Sequence, residues 1–528
     1  MTRFITESEV EEVALQILQE LGYEIIFGPE IAPAPEGTRP ERETYSDVVL
    51  VGRLKKAIRK INPNLSYEII DSAVKKVLQH GSQKLVEDNF SFHRMLVEGI
   101  DIEYRAKSGG IRGEKVWLFD FENPENNEFL AVNQFTIIED NNNRRPDIIL
   151  FVNGLPLVVI ELKNPAIEKA TLKAAFDQHQ TYMAQIPSLF RFSEILVIND
   201  GNNTSAGTIS SGLSRFSPWK TINGKMFGPP KKSFLEVLIK GIFEKKTLLD
   251  LVRHFVVFEN EKTGLVKKLA GYHQYNATNN ALEATIKASR ERGDKRGGVV
   301  WHTQGSGKSL TMVFYTGKLV LNPEMENPTI VVLTDRNDLD DQLFDTFSAC
   351  NEILRQKPVQ VKNRKHLREL LKVASGGIVF TTIQKFLPEQ KGDSFPLLSK
   401  RRNIVVIADE AHRSQYDFID GFARHLRDAL PNASFIGFTG TPIEKSDKST
   451  RAVFGKDVDV YDVNQSVEDG ATVRIYYESR LAKLDLKPEE RPKIDPEFEE
   501  VTEGEEFNYK ERLKSKWARM EKIVGSSK

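Results

Sequence analysis

Apolar positions along the first 260 residues change period several times. Residues 5–21 place Val10, Ala14, Ile17 and Leu21 on one helical face, and Gly22 ends that helix. The Pro- and Gly-rich stretch 28–40 predicts a loop, and about 67–80 predicts a second helix. Strand-like runs follow at Val116–Phe121, Asn133–Ile138, Ile148–Val152 and Leu157–Leu162, then a helix from about Ile167 to Met183. Residues 195–235 read as a loop-laden edge around one strand, Ile195–Asn199, and helical residues continue to about 258.

A different rhythm begins near 260. Apolar runs at Gly298–Trp301, Thr329–Thr334, Gly377–Thr381, Ile404–Ala408 and Ser434–Phe438 alternate with helical stretches. That alternation predicts a doubly wound parallel sheet, in a chain of α/β class. After about 485 the chain is charged, acidic and poor in apolar residues, which predicts poor order. The expected organisation is three segments, 1–258, 259–462 and 463–528.

Bulk composition narrows the class only a little. The chain has 528 residues, 40% hydrophobic and 28% charged, as ordinary soluble globular proteins have. A single cysteine, Cys350, excludes an internal disulfide and suits a reducing cytoplasm. The acidic start (Glu7, Glu9, Glu11, Glu12) does not suit a signal peptide, and no apolar run is long enough for a bilayer. A net charge of −1 does not advertise nucleic acid, so a DNA partner needs local basic patches. Arg53 to Lys60, Lys362 to Arg368 and Lys400-Arg401-Arg402 are the candidates, each also readable as solvated surface.

The chemistry is more specific. The strand-like Gly298-Val299-Val300-Trp301 runs into His302-Thr303-Gln304-Gly305-Ser306-Gly307-Lys308-Ser309, and a helix starts at Leu310. Glycines let backbone N–H groups close around phosphates, and the helix start adds partial positive charge. Lys308 is placed to reach the β- and γ-phosphates of ATP, and Ser309 to ligate Mg²⁺. The usual pattern starts with Gly, whereas this one starts with His302. Downstream, the apolar Ile404–Ala408 ends in Asp409-Glu410. Asp409 can hold Mg²⁺ and Glu410 can orient and deprotonate an attacking water.

Residues 260–462 thus resemble the first motor domain of a superfamily 2 helicase or translocase. Asp409-Glu410-Ala411-His412 resembles its DEAH box, and Phe438-Thr439-Gly440-Thr441-Pro442 the motif that couples hydrolysis to movement on DNA, with Thr439 and Thr441 in supporting roles. Thr334-Asp335-Arg336 and Thr381-Thr382-Ile383-Gln384 resemble its DNA-backbone motifs. Gln274, in Tyr272-His273-Gln274, stands where that family places an adenine-reading glutamine, and an amide can donate and accept at once.

A second constellation lies upstream. Asp147 precedes one strand, and Glu161 and Lys163 close the next, two apart and therefore on one face. Two carboxylates for Mg²⁺ and a lysine for developing charge match the PD-(D/E)xK nuclease pattern. Gln178 and Tyr182, four apart on the next helix, resemble the Q-x-x-x-Y element of some nucleases of that fold. An acid from the first helix often joins such sites, and Glu7, Glu9 and Glu11 all qualify.

With both constellations in this order, the chain resembles the restriction (motor) subunit of type I restriction–modification enzymes over nearly its whole length. The most specific words are Asp335-Arg336-Asn337-Asp338-Leu339-Asp340-Asp341-Gln342, Asp409-Glu410-Ala411-His412-Arg413-Ser414-Gln415, and Pro146-Asp147 with Glu161-Leu162-Lys163. The resemblance implies an N-terminal PD-(D/E)xK endonuclease domain and RecA-like motor domains that pull duplex DNA with ATP and Mg²⁺. It further implies separate methyltransferase and specificity subunits, the former using S-adenosylmethionine, and cutting of unmodified DNA away from the recognition site. The sequence stops early in the expected second motor domain, without the later arginines that complete an ATP site. On its own it is expected to bind Mg·ATP weakly, hydrolyse it poorly and not translocate. Two other enzyme readings, a type III restriction subunit and a repair helicase–nuclease, share the motor; the N-terminal position of Pro146-Asp147 argues against the former. A DNA-bound scaffold with an inactive nuclease is the non-enzymatic alternative.

Overall fold

A computed structural model describes residues 6–105, 110–163, 171–227, 232–334, 337–386, 396–411, 422–441 and 448–473, without the side chains of 337–341, 422–423 and 448–450. It is built on two sheets. The first is six-stranded and mixed, in the order Glu24–Phe27, Phe129–Asn133, Ile148–Val152, Leu155–Leu162, Ile195–Asn199, Thr204–Gly207. The outer pair Glu24–Phe27 and Phe129–Asn133 is parallel, as is the pair Leu155–Leu162 and Ile195–Asn199; the other neighbours are antiparallel. Every residue of Ile148–Val152, Leu155–Leu162 and Ile195–Asn199 is buried, so these strands are covered on both faces and read as continuous apolar runs. The helices Glu7–Glu20 and Leu172–Gln185 supply part of that cover.

The hairpin at the centre has a local cause. Asn153 (φ +52°) and Gly154 (φ +79°) both take the left-handed conformation that a two-residue primed turn needs. A side chain at Gly154 would also lie 2.5 Å from the carbonyl oxygen of Leu50. The turn sets Val152 opposite Leu155, and a shift of one residue between Phe151 and Leu150 then brings Ile148 opposite Ile160.

Two expected strands are placed differently. Val116 closes a strand, Ile111–Val116, that pairs with Ile100–Arg105, and residues 117–121 are irregular. The backbone of Trp117 bonds instead to the side chain of Asn62, N–H to Oδ1 at 3.0 Å and O from Nδ2 at 2.8 Å, which occupies the groups a ladder would use. The run Asn133–Ile138 is broken at Gln134, whose φ of +56° turns the chain out of the sheet; Ile137–Glu139 belongs to a separate small hairpin with Asn142–Arg144. The helix expected from Ile167 is described from Leu172, with Thr171 as its N-cap. Helices at Val51–Ile61 and Leu85–Glu98 were not foreseen from the pattern.

The second sheet has seven strands, all parallel to their neighbours: Pro358–Gln360, Ile378–Thr382, Thr329–Thr334, Ile404–Asp409, Ser434–Thr439, Arg296–His302, Asp457–Tyr461. The five expected runs form its centre, and two short edge strands complete it. Helices Tyr272–Ser289 and Lys308–Leu321 pack against each other, the former also against the sheet.

Residues up to Thr472 form one compact unit, with a core that continues from Val10 to Tyr461. Polar ties cross between the regions of the two sheets. Lys318 Nζ meets both oxygens of Asp250 at 2.7 and 2.8 Å, and Arg355 pairs with Glu98 at 2.8 Å. Lys267, on the hairpin Val256–Glu261 with Gly264–Leu269, forms a fully buried pair with Glu194 at 2.7 Å. The tail expected to be poorly ordered lies outside the described residues. Among those described, no helix is long and apolar enough to cross a membrane.

Candidate active sites

The hairpin register brings the separated acids together. Asp147 stands one step before Ile148, so it comes level with the end of Leu155–Leu162, and the N–H of Leu162 donates to its Oδ2 at 2.7 Å. Glu161 is 2% exposed. Its Oε1 accepts from Lys163 Nζ at 2.5 Å, while its Oε2 is buried with no hydrogen-bond partner. Burial, with repulsion from Asp147 second, pushes the Glu161 carboxyl up to about 8. Burial likewise raises Asp147 to about 6, partly opposed by the Leu162 N–H and by Lys163. Burial pulls the Lys163 ammonium down, but the two carboxylates outweigh it and hold it above its ordinary value.

The three acids of the first helix are engaged differently. Glu9 closes the capping box, accepting from the backbone N–H of Thr6 at 2.8 Å. Glu11 accepts from Asn133 Nδ2 at 2.7 Å and Gln134 Nε2 at 2.8 Å. Glu7 acts electrostatically on Asp147, Glu161 and Lys163, and Glu11 on Asp147, so both lie on the side of the first helix toward these acids.

Gln178 and Tyr182 also come to this place. Their side chains hydrogen-bond, and the Tyr182 hydroxyl is raised by burial and by Glu161. Between them, His179 is a buried peg, its Nε2 2.9 Å from the carbonyl of Val197. Arg144 was not anticipated; it lies within electrostatic range of Tyr182 and donates to Gln185 Oε1 at 2.5 Å. Its only sequence signal is proximity to Pro146-Asp147. Among the described residues no three His, Cys, Asp or Glu side chains gather closely enough to hold a metal alone.

The second constellation lies at the carboxyl ends of the parallel strands. Registers Asp409 opposite Phe438 and Thr439 opposite Trp301 align three strand ends. Gly305 (φ +85°) and Gly307 (φ +84°) give the loop its left-handed turns, and Gly307 N-caps Lys308–Leu321. A side chain at Gly307 would lie 2.8 Å from Gln274 Nε2. Ser306 is turned inward, its hydroxyl donating to Thr303 O at 2.6 Å, while Lys308 and Ser309 remain partly exposed. Lys308 Nζ lies where a side chain on Gly440 would be, 2.7 Å from that virtual position, which puts the Thr439-Gly440-Thr441 segment against the loop. Thr441 N–H donates to Thr439 Oγ1 at 3.1 Å. Burial, then repulsion from Glu410, raises Asp409 to about 6, against attraction from Lys308. Glu410 has φ +50°, a strained conformation at the strand end.

His302 explains the missing first glycine. It is fully buried, its Nε2 2.9 Å from Asp459 Oδ1, beneath the loop. The neighbouring His273 stacks on Tyr461 at 4.1 Å and sits 3.0 Å from Ser306 O. Gln274 accepts from Gly271 N–H at 3.0 Å and donates to Gly307 O at 3.1 Å. Gln274 is buried, and each amide atom keeps one further bonding position.

The motifs compared with DNA-backbone contacts are largely inward. Thr334, Thr381 and Thr382 are buried, and among the described residues of these motifs only Gln384 is exposed. Asp335, Arg336, His412 to Gln415 and Pro442 lie outside the described residues. The basic runs also divide. Arg401 bonds Thr329 Oγ1 at 2.6 Å and Ala374 O at 2.9 Å, and Arg402 pairs with the exposed Glu326 at 2.5 Å, so both guanidinium groups are already engaged.

Comparison with known proteins agrees with this two-part layout. Residues 4–215 match the model of the type I restriction enzyme R protein N terminus, and 273–511 that of the SWI2/SNF2 ATPase. The chain belongs to the R-subunit family of type I restriction enzymes. It is 48% identical over 503 residues to the type I restriction enzyme HindI endonuclease subunit of Haemophilus influenzae, covering 92% of this chain and 47% of that protein. It is 37% identical over 540 residues to a putative type I restriction enzyme endonuclease subunit, MjaIXP, of Methanocaldococcus jannaschii, covering 98% and 50%. The chain therefore spans about half the length of these relatives. A fragment of a putative HsdR subunit from Vibrio vulnificus matches at 17% identity over 64% of this chain and 56% of that one, with a TM-score of 0.25.

Proposed function

We propose that this chain is the DNA-cleaving, ATP-driven part of a type I restriction endonuclease, cutting unmodified duplex DNA away from its recognition site. Its first 258 residues act as a PD-(D/E)xK endonuclease domain, residues 259–462 as a first RecA-like motor domain, and 463–528 as the start of a second. The observation that carries the nuclease reading is the buried, unpartnered Oε2 of Glu161 beside Asp147. A buried carboxylate oxygen without a partner costs stability and is retained where a cation completes it.

Asp147 and Glu161 would hold Mg²⁺, with phosphate oxygens and water completing the shell, as suits a cation that keeps much of its hydration. When bound, the ion supplies Lewis acidity at the scissile phosphate. Lys163 would then leave Glu161 and place its ammonium against the charge that develops on the phosphate. Gln178 and Tyr182 fix the wall next to Glu161, and Glu7 faces the same acids from the first helix. At the second site the loop backbone and Lys308 bind the phosphates of ATP. Ser309 and Asp409 would hold its Mg²⁺, Glu410 would orient the attacking water, and Gln274 would read adenine. Thr439 and Thr441 connect this loop to the strand end that would transmit hydrolysis.

By the same reading the partners are double-stranded DNA and separate methyltransferase and specificity subunits, S-adenosylmethionine entering only through the methyltransferase, in the cytoplasm. The test is cleavage of circular DNA by the assembled enzyme. Asp147→Ala must abolish cutting while ATP consumption continues; cutting by that variant ends the nuclease assignment.

A further inference from the structure

The helix Tyr272–Ser289 begins beside the phosphate loop, and successive side chains of its first turn meet successive loop carbonyls. His273 Nε2 lies 3.0 Å from the carbonyl oxygen of Ser306, and Gln274 Nε2 donates to that of Gly307 at 3.1 Å. A trans peptide is planar, so its C=O and N–H point opposite ways. Holding these two oxygens therefore turns the N–H groups of Gly307 and Lys308 away from the helix. Neither N–H has a hydrogen-bond partner among the described residues.

The His273 ring is closely walled. It stacks on Tyr461 with centroids 4.1 Å apart and planes within 8° of parallel. The Tyr461 hydroxyl bonds Asp469 at 2.7 Å, and that carboxylate also takes the Tyr272 hydroxyl at 2.6 Å and pairs with Lys220 at 2.5 Å. His302 stands at another side, its centroid 5.6 Å from both rings. A glycine at 302, as the usual loop pattern has, would remove that wall. Burial, then the nearby His302, lowers the His273 imidazole to about 4, against the Ser306 carbonyl, so the ring is neutral at neutral pH and carries one proton. A carbonyl opposite Nε2 places that proton on Nε2, and the imidazole donates.

We propose that His273 is a positioning residue for the phosphates of ATP. By donating to the Ser306 carbonyl it fixes that peptide plane and aims the Gly307 N–H at the anion, without itself touching the nucleotide. The proposal rests on the ATP reading of this loop. A donor aimed beforehand loses no freedom when the ligand arrives, so the gain is one of affinity. It acts on phosphate and is blind to the base.

The test is equilibrium dialysis of the 528-residue chain with Mg²⁺ and ATP, GTP or inorganic triphosphate. His273→Phe keeps a ring for Tyr461 and loses the donor. Its affinity for all three ligands is expected to fall by the same factor, about fivefold to tenfold, the worth of one hydrogen bond. His273→Gln, whose amide can donate to the same carbonyl, is expected to recover most of that loss. His273→Leu carries the same expectation as the phenylalanine variant and replaces it if that one does not fold. Unchanged triphosphate binding in the variants without the donor overturns the proposal. So does a loss confined to ATP, which would make His273 a base contact, and so does a loss that glutamine leaves unrepaired, which would make it a packing residue. Wild type that binds none of the three overturns the ATP reading itself and takes the proposal with it.

Discussion

The two candidate sites hold charge in opposite ways. In the upstream site, Asp147 and Glu161 are pushed together in a buried sheet end, their pKa values raised and one oxygen unpartnered. In the downstream site, the backbone of Gly305 to Lys308 is already shaped by the protein itself, with Ser306 held by Thr303 and the loop flanked by His273 and Gln274. On the proposed reading a cation relieves the first site, and the second is a cradle formed before its anion arrives. The contrast teaches that the first must be sensitive to pH and metal, and the second to the removal of single contacts.

The sharpest break of this comparison is in cleavage. Asp147→Ala or Glu161→Ala is expected to lower DNA cutting by about 10³-fold or more in the assembled enzyme, while ATP turnover is kept. Lys308→Ala is expected to lower ATP hydrolysis by about 10²–10³-fold, as loss of one preorganised charge does, with nuclease metal binding unchanged by calorimetry.

A subtler break uses stability. The folded carboxyl of Glu161 titrates near 8 against an ordinary 4.5, so the folded chain binds more protons than the unfolded one between those values. Stability of the metal-free protein should therefore be greatest at the acid end of that window and fall as pH rises toward 8, by on the order of a few kcal/mol. Glu161→Gln should flatten this fall in urea titrations, and Mg²⁺ should restore wild type but not the variant. An unflattened pH profile in the variant would mean that Glu161 is not the strained group. The smallest effect is Gln274→Ala, expected to raise the KM for ATP by about tenfold, the worth of one or two hydrogen bonds, and to relax discrimination against GTP.

How much of this the sequence revealed follows the same division. The phosphate loop is contiguous, so Gly305 to Ser309 carry their own geometry, and the five apolar runs around them sit in the centre of the parallel sheet. The candidate nuclease acids are separated by fourteen positions and meet only because Asn153-Gly154 turns the hairpin and a bulge shifts its pairing by one; the dipeptide was there to be read, but the register was not. That Glu9 is spent on the helix cap and Glu11 on the Asn133–Gln134 amides is set by how the first helix meets its neighbours, which its own sequence does not show. Val116–Phe121 looked like a strand because it is largely apolar, yet the strand ends at Val116 and Asn62 takes the backbone bonds of Trp117. Arg53 looked like a DNA contact because it is basic, yet three glutamates surround it.

The most direct measurement is cleavage of unmodified circular DNA by the full-length protein carrying this sequence, assembled with methyltransferase and specificity partners, with Mg²⁺ and with or without ATP, beside Asp147→Ala. The account predicts cutting that requires ATP and disappears in the variant, which still consumes ATP. Cutting that survives Asp147→Ala would contradict it.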